Sequence, residues 1–306
     1  VIGQPEELPE ARHTDGVSAS PTHVAQLAAY LGSGPPLVLT GAGISTDSGI
    51  PDYRGPDGTR RVTPMSHQEF VSSAAARQRY WARSYAGWLR FAAARPNRGH
   101  RAVAALQSDG RVGTIITQNV DLLHQVAGAR DVVDLHGRLA DVVCLDCSAR
   151  YPREQIQAWL AEANPQAADG IDRDPGGGSR VSAQIRPDGD VVLAPELIEG
   201  FRSPRCLVCR GDRLKPDVVF FGASVPPERV AHCFELTDAA SGLLVIGSSL
   251  MVMSGLRFVK RAAAQGKPIA IVTKGPTRGD DLATLRIDAD ISPLLHAVAS
   301  EITALA

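Results

Sequence analysis

Short apolar runs recur along this chain, and the segments between them place apolar residues at the period of a helix. The runs cover residues 37–40, 113–117, 131–135, 243–247 and 269–273, and their composition is typical of strands buried in a parallel sheet. Helical patterns separate them, for example at residues 22–30 and 256–265. Strands that alternate with helices predict a doubly wound α/β fold.

Two stretches do not follow this alternation. Residues 55–96 are helical and rich in aromatic side chains, and residues 141–212 carry two pairs of cysteines. We expect these insertions to form a smaller domain beside a larger α/β domain built from residues 21–54, 97–140 and 213–306. Residues 1–20 are rich in Pro, Glu and small polar residues and are predicted to form a flexible arm. A ligand site is expected in the crevice between the two domains.

The cysteines form two Cys-x-x-Cys pairs, Cys144 with Cys147 and Cys206 with Cys209. Four thiolates at this spacing are typical of a tetrahedral Zn²⁺ site that is filled by protein and is therefore structural. A dithiol redox pair or two disulfides are the alternatives, although disulfides are rare in long chains of the cytosol. Cys233 stands alone in a predicted helix, where a buried apolar role is expected.

A glycine-rich segment, residues 41–55, follows the first apolar run. Gly41 and Gly43 would let the backbone turn tightly and approach a pyrophosphate, whose charge exposed N–H groups can meet. Gly-Ala-Gly alone is a weak signal, but its continuation through residues 52–54 is specific. Two further polar segments follow later apolar runs, Thr-Gln-Asn-Val-Asp at 117–121 and Leu-His-Gly at 135–137.

Composition excludes several classes of protein. The formal net charge of −1 gives no reason to expect a nucleic-acid or membrane-surface partner. No apolar run approaches the roughly 18 residues that span a bilayer, and the start of the chain lacks the pattern of a secretory signal. We therefore expect a cytoplasmic location. The oligomeric state is not predicted.

With these three segments in this order, the chain resembles the sirtuins, the family of NAD-consuming protein-lysine deacylases. The resemblance runs from about Leu37 to about Leu295. It implies a Rossmann-like NAD-binding domain with an inserted zinc-binding and helical domain. Residues 77–83, 87–88, 144–147, 214–222 and 275–278 are most similar to the class II, mitochondrial-type sirtuins, so a bacterial relative of that branch is expected.

Sirtuins cleave the nicotinamide–ribose bond of NAD and pass the ribose to the acyl oxygen of a modified lysine, giving nicotinamide, free lysine and O-acyl-ADP-ribose. The resemblance makes His136 the general base that takes a proton from a ribose hydroxyl, and imidazole titrates near neutrality as this role requires. It gives Asn119 a catalytic contact with the nicotinamide ribose. The implied cofactor contacts are Gly41, Ala42, Gly43, Ser45, Ile50, Asp52, Tyr53, Arg54, Gln118, Asn119, Asp121, Gly247, Ser248, Ser249, Thr273, Lys274, Gly275 and Ile291.

The chain departs from the family pattern at two of its positions. Thr273 stands where sirtuins usually place an Asn against the adenosine ribose, and Ser254 replaces a common proline, which we expect to loosen its loop. Helix capping is the alternative role for the polar cluster around Asn119 and Asp121, and capping and binding can coexist.

The acylated peptide is expected to add as a strand between two loops. The substrate contacts of these loops are Val219, Phe220, Phe221, Gly222, Met251 and Val252. In the helical insertion, Tyr80 and Arg83 share one helix face and match a Tyr-x-x-Arg pattern of sirtuins that remove acidic acyl groups. Succinyl or glutaryl groups are therefore expected, with lipoyl as an alternative and weaker activity on acetyl. A solvated Arg83 beside a core Tyr80 is the other interpretation.

Two other functions stay open at this point. A mono-ADP-ribosyltransferase would use the same NAD contacts but give the ribose to a protein side chain. An NAD-sensing binding module without turnover is the alternative from another class, and the presence of His136, Asn119 and Asp121 argues against it.

Overall fold

The structure, a computed structural model, describes residues 19–55, 57–60, 62–167 and 186–304. Most of the predicted N-terminal arm lies outside these residues. In chain order, the elements are α1 (Pro21–Gly32), β1 (Leu37–Thr40), a 3₁₀ helix (Ala42–Ser48), α2 (His67–Ser72), α3 (Ala74–Ala93), α4 (Arg98–Ser108), β2 (Ile115–Thr117), α5 (Leu123–Val126), β3 (Val132–Asp134), β4 (Gly137–Cys144), β5 (Arg150–Pro152), α6 (Arg153–Ala163), α7 (Pro195–Ile198), β6 (Leu214–Val218), α8 (Pro227–Ala239), β7 (Leu243–Ile246), α9 (Met253–Ala264), β8 (Ile269–Val272), a second 3₁₀ helix (Asp280–Leu282), β9 (Leu285–Ile287) and α10 (Ile291–Ala304).

The central sheet has six strands in the order β3-β2-β1-β7-β8-β9, and every neighbouring pair is parallel. All five predicted strands lie in it, within one or two residues of the predicted bounds. The order reverses at β1, which pairs with β2 on one side and β7 on the other. The doubly wound α/β fold is therefore confirmed. The sequence did not predict β9, which is three residues long and carries Arg286 at its centre.

Helices cover both faces of this sheet, as its apolar strands require. On one face, α1, α4 and α10 bury Leu27, Val103 and Leu295 against the strands. On the other, α8 and α9 bury Cys233 and Phe258. Cys233 is thus a small core residue, as predicted.

A second, smaller sheet holds three antiparallel strands in the order β5-β4-β6. It shares a hydrophobic core with α3 and α6, in which Trp81 and Ile156 are fully buried. Its strand β4 begins directly after His136. Gly137 there has φ +79°, and a Cβ would lie 1.9 Å from the carbonyl oxygen of Asp217 on β6, so only glycine fits this junction. The junction fixes His136 between the two sheets.

The long helix α3 is the main helix of the small domain. Ser73 caps its start by accepting a hydrogen bond from the Ala76 N–H at 3.1 Å. The fully buried guanidinium of Arg153 packs over Trp81 and Trp88 of this helix at 5.2 and 4.7 Å. Among the described residues, no helix is long and apolar enough to cross a membrane.

Candidate active site

A cavity of about 590 Å³ opens where the carboxyl ends of β1, β2 and β7 meet the small domain. This edge of an open parallel sheet, where the strand order reverses, is where ligands bind in α/β folds. The cavity brings together all three polar segments that the sequence singled out. Lining residues from these segments include Gly43, Arg54, Asn119, Asp121 and His136.

Most of the predicted contacts line this cavity, and three do not. Gly275 does not line the cavity, but the next residue, Pro276, does. Ile291 begins α10 and packs into the core of the larger domain, 9% exposed. Arg83 lies one turn beyond Tyr80 on α3, and only Tyr80 is among the lining residues.

Backbone approach between two loops explains the glycines of the first segment. A Cβ on Gly41 would lie 2.8 Å from the Gly247 carbonyl oxygen, and a Cβ on Gly43 would lie 2.9 Å from the Gly247 Cα. The loops after the adjacent strands β1 and β7 therefore pack backbone to backbone. This contact leaves a side-chain-free floor at the sheet edge, of the kind that admits a pyrophosphate.

His136 has a defined tautomer. Its Nδ1 lies 2.9 Å from the backbone carbonyl oxygen of Gln118, which can only accept, so Nδ1 carries the proton. Nε2 is therefore the basic nitrogen. Burial is the main cause that lowers the pKa of His136 to about 4; the Gln118 carbonyl opposes the shift, and Arg229 and Arg257 add to it. The imidazole is thus neutral at pH 7, as a general base must be.

Nε2 has a partner that the sequence did not predict. The Ser254 hydroxyl lies 2.8 Å away and donates to it. Ser254 was expected to loosen a loop, but it lies in the first turn of α9. A serine in place of the common proline thus supplies a hydrogen bond to His136.

The second polar segment is held by a dense set of hydrogen bonds. Asn119 Nδ2 donates to the Gly41 carbonyl at 3.2 Å and to Ser45 Oγ at 3.0 Å. Asp121 accepts from Ser45 Oγ at 2.7 Å and from the N–H of Leu123 at the start of α5 at 2.9 Å. Burial raises the pKa of Asp121, and these two hydrogen bonds oppose the shift. Asp121 therefore both lines the cavity and accepts from a backbone N–H at the start of α5.

Behind this segment lies a buried polar network that sequence analysis missed. Thr40 Oγ1 donates to Thr117 Oγ1 at 2.9 Å and lies 3.0 Å from His124 Nε2. The rings of His124 and His100 meet edge to face at 5.0 Å, and His100 Nε2 lies 3.4 Å from Ser45 Oγ. Thr117 and Ser45 lie in segments that the sequence singled out, but no motif marked Thr40, His100 or His124, which come from separate elements.

The segment after the first 3₁₀ helix lines the cavity through residues 52–55, 58 and 60. Arg54 pairs with Arg60 in an isolated antiparallel bridge and donates to the Gly58 carbonyl at 2.9 Å. Tyr53 and Arg60 both pack on the ring of Phe221, at 5.6 and 5.4 Å between centres. The predicted cofactor loop and the predicted peptide loop are therefore in direct contact.

The predicted peptide contacts flank an open rim. Phe221, Met251 and Val252 are large apolar side chains exposed there. The Val219 N–H donates to the His136 carbonyl at 2.8 Å, which connects this rim to His136. Exposed apolar residues at the mouth of a cavity suit a segment that docks in extended form.

The four cysteines converge away from the cavity. Their sulfur atoms all lie within 4.8 Å of one another, and the cross-pair distances are 3.6 Å for Cys144–Cys209 and 3.5 Å for Cys147–Cys206. None is joined in a disulfide. Each Cys-x-x-Cys pair is followed by a residue with left-handed backbone, Ser148 after the first pair and Arg210 after the second. The two pairs therefore form turns of the same kind. This donor set fits a structural Zn²⁺ with four protein ligands, and the Tyr151 hydroxyl supports it 3.2 Å from Cys206 Sγ.

Comparisons with known proteins agree with this geometry. The model of the Sir2 family matches residues 41–254. NAD-dependent protein deacetylase 1 of Streptomyces coelicolor is 52% identical over 297 residues, covering 96% of this chain and 95% of the relative. NAD-dependent protein deacylase SRT2 of Arabidopsis thaliana is 46% identical over 268 residues, covering 85% of this chain and 71% of the relative. A solved structure of Sir2 with a p53 peptide and NAD⁺ aligns with a TM-score of 0.69 at 28% identity, covering 91% of this chain and 98% of that chain.

Proposed function

The chain belongs to the Sir2 family of NAD-dependent protein deacetylases, and we propose that it removes acyl groups from protein lysine in the cavity around His136. NAD supplies an ADP-ribosyl group whose bond to nicotinamide is broken. The observation that carries the proposal is the tautomer of His136. With Nδ1 protonated against Gln118, Nε2 keeps the lone pair that a general base needs.

The polar residues of the second segment suit the nicotinamide end of the cofactor. Asn119 and Asp121 are fixed by Ser45, so their geometry is set before a ligand arrives. Such preorganisation lowers the cost of orienting two reactants. We propose that Asp121 holds the nicotinamide carboxamide and that Asn119 and Gln118 contact the adjacent ribose.

The rim of Phe221, Met251 and Val252 is the proposed docking site of the substrate peptide. Solved Sir2 structures contain p53 and acylated histone peptides. Main-chain pairing between two loops would place the acyl-lysine side chain inward, past Val219 towards His136. Binding of this kind accepts many peptide sequences.

The acyl group itself stays a prediction. Tyr80 lines the cavity and is buried, which supports an acyl group that reaches further than acetyl. Arg83 is not among the residues that line the cavity. Burial is the main cause that lowers the pKa of its guanidinium, and the nearby carboxyl group of Asp190 opposes this shift. An acidic acyl group would therefore have to compete with Asp190 for this guanidinium. We propose an uncharged acyl group, a class that includes lipoyl, in place of succinyl or glutaryl.

The two other functions differ in their products. A mono-ADP-ribosyltransferase would attach ADP-ribose to a target protein and form no O-acyl-ADP-ribose. An NAD-sensing module would release no nicotinamide. The neutral, cavity-facing His136 supports the deacylase over both, because neither alternative needs a base for a ribose hydroxyl.

The test is to incubate the purified chain with NAD and peptides carrying acetyl-, pentanoyl-, lipoyl- and succinyl-lysine, and to follow the products by mass spectrometry. We expect O-acyl-ADP-ribose and free lysine in equal amounts. His136→Tyr should abolish both while NAD still binds, since the base is lost and the glycine loops are untouched. Labelled ADP-ribose on protein without free lysine would contradict the proposal, and so would full activity of the His136 variant.

A further inference from the structure

Two carboxyl groups that sequence analysis did not assign, Asp188 and Asp190, line the cavity together with Tyr80. We call the part of the cavity formed by these three residues its inner end. Asp188 and Asp190 lie on a turn at residues 186–190 and line the cavity. The turn is closed by the Arg186 N–H, which donates to the Asp190 carbonyl at 2.7 Å, and by the Asp190 N–H, which donates to Asp188 Oδ1 at 3.3 Å. The side chain of Asp190 is 4% exposed, and its Oδ1 has no hydrogen-bond partner among the described residues.

Tyr80 presents a second unsatisfied group at the same end. It is 3% exposed and lines the cavity, and its hydroxyl lacks a hydrogen-bond partner within the described part of the chain. Ser84 is near this hydroxyl but outside hydrogen-bonding geometry. The ring of Tyr80 packs on that of Phe220 at 5.3 Å between centres. Tyr80 and Phe220 both belong to the hydrophobic core of the small domain, so this end of the cavity is formed by that domain.

Backbone contact holds the turn against α3. A Cβ on Gly87 would lie 2.0 Å from the Gly189 carbonyl oxygen, so the helix that carries Tyr80 and the turn that carries Asp190 touch directly. The two unsatisfied groups are therefore fixed relative to each other. A buried donor or acceptor without a partner costs stability, and proteins keep such groups where a ligand completes them.

The unpaired groups at this end favour a ligand that both donates and accepts hydrogen bonds. Burial is the main cause that raises the pKa of Asp190 well above its usual range, and Asp188 raises it further. Arg186, Arg83 and Arg153 oppose the shift. The unpaired Oδ1 of Asp190 can accept a hydrogen bond and the Tyr80 hydroxyl can donate one. A carboxylate could accept from Tyr80 but has no donor for Asp190, whereas an alkyl chain would leave both Tyr80 and Asp190 unsatisfied.

We propose that Tyr80 and Asp190 select an acyl group that ends in an uncharged hydrogen-bonding group, such as a primary amide or a hydroxyl. The inference rests on the proposed function, since it assigns the acyl end of the same cavity. Hydrogen-bonding sites of this kind discriminate strongly against analogues that leave their polar groups unpaired.

The test compares three peptides of one sequence in which the lysine carries succinamoyl, succinyl or pentanoyl. Succinamoyl and succinyl share a shape and differ in charge, while pentanoyl has similar length and no polar end. The Kd of each is measured at pH 7.5 without NAD. We expect succinamoyl to bind about tenfold more tightly than succinyl and about five- to tenfold more tightly than pentanoyl.

Variants assign the effect to residues. Tyr80→Phe and Asp190→Leu should each reduce the preference for succinamoyl over pentanoyl to about twofold or less. Asp190→Asn should keep that preference, because the amide oxygen still accepts a hydrogen bond. Asp109→Asn, an exposed carboxylate at the end of α4, is the control and should bind all three peptides like the unmodified protein.

Succinyl binding as tightly as succinamoyl, tightest binding by pentanoyl, or no binding by succinamoyl would each overturn the inference. An unchanged preference in Tyr80→Phe would do the same, and this conservative change keeps the test open if Asp190→Leu does not fold. The readout needs no turnover. Failure to release nicotinamide would therefore refute the proposed deacylase activity. The ratio of Kd values would still test whether Tyr80 and Asp190 select the end of the acyl group.

Discussion

Both ring nitrogens of His136 are engaged, and the two contacts have different consequences. The Gln118 carbonyl at Nδ1 fixes the tautomer, and the Ser254 hydroxyl at Nε2 occupies the lone pair that would take the substrate proton. In the proposed reaction, a ribose hydroxyl would have to displace this serine before His136 could act as a base. Ser254 is therefore a positioning residue for the free enzyme.

Ser254→Ala should move the acid limb of the pH profile of kcat/KM to higher pH. The hydroxyl stabilises neutral imidazole, so its removal raises the pKa of His136 and the base is lost at a higher pH. A neutral hydrogen bond of about 1 kcal/mol corresponds to roughly 0.7 pH units. The profile is measured with NAD varied and peptide saturating. Ser224→Ala, another serine that lines the cavity, should leave it unchanged; equal shifts in both variants would refute the role of Ser254.

At the scale of elements, the short connections between strands position the residues of the candidate site more directly than the strands themselves do. Gly137 lets β4 start within contact of β6, and Gly41 and Gly43 let two loops pack together at the sheet edge. The zinc knuckles are likewise turns, one after β4 and one before β6. They join the ends of two strands whose sequence separation is long.

Cys206→Ser should remove zinc and destabilise the small domain. A closed metal site contributes its binding energy to folding, so we expect a loss of several kcal/mol, or roughly 10 °C in Tm. Metal content by mass spectrometry and melting by circular dichroism check this. Cys233→Ala, a buried cysteine outside the cluster, should keep the zinc. Unchanged zinc content and Tm in Cys206→Ser would contradict a structural site.

At the scale of the molecule, the cavity belongs to neither sheet alone. The larger sheet supplies the glycine loops and Asn119, and the small domain supplies Tyr80 and Asp190. We propose the division of the chain into a larger NAD-binding domain and a smaller inserted domain, with β4 and β6 crossing between them. Relative movement of the two would then open and close the site around His136.

Acid should weaken the fold partly through its buried histidines. Burial lowers the pKa of His124 to about 4, below the roughly 6.5 of an unfolded chain. Its neutral form therefore stabilises the folded state above about pH 6.5, and this contribution is lost as the pH falls towards about 4. Relative to His124→Leu, the free energy of unfolding of the unmodified protein should fall by on the order of 3 kcal/mol between about pH 7 and pH 4.

Urea denaturation at several pH values measures this difference. The buried aspartates have the opposite sign, because burial raises the pKa of Asp121 and Asp190, but they are common to both proteins. His296→Leu, at an exposed position of α10, is the control and should follow the unmodified protein. Parallel curves for the unmodified protein and His124→Leu would contradict the prediction.

The sequence by itself determined where along the chain the chemistry lies. Continuous apolar runs specify buried parallel strands, and the segments that follow them resemble those of the sirtuins, so this resemblance assigned Gly43, Asn119 and His136 to one site. Cysteine spacing likewise specified the metal cluster. These signals are local, because they depend on residues close together in the chain.

Only the tertiary structure decided which side chains from distant elements share the cavity. Helical spacing put Tyr80 and Arg83 on one face, but packing of α3 against Phe220 brought only the tyrosine to the cavity. The contacts of Ser254 with His136, of His124 with Thr40 and of the Asp190 turn with Gly87 join segments far apart in the chain. No periodicity or motif encodes such pairs, since they arise from how two sheets and their helices close on each other.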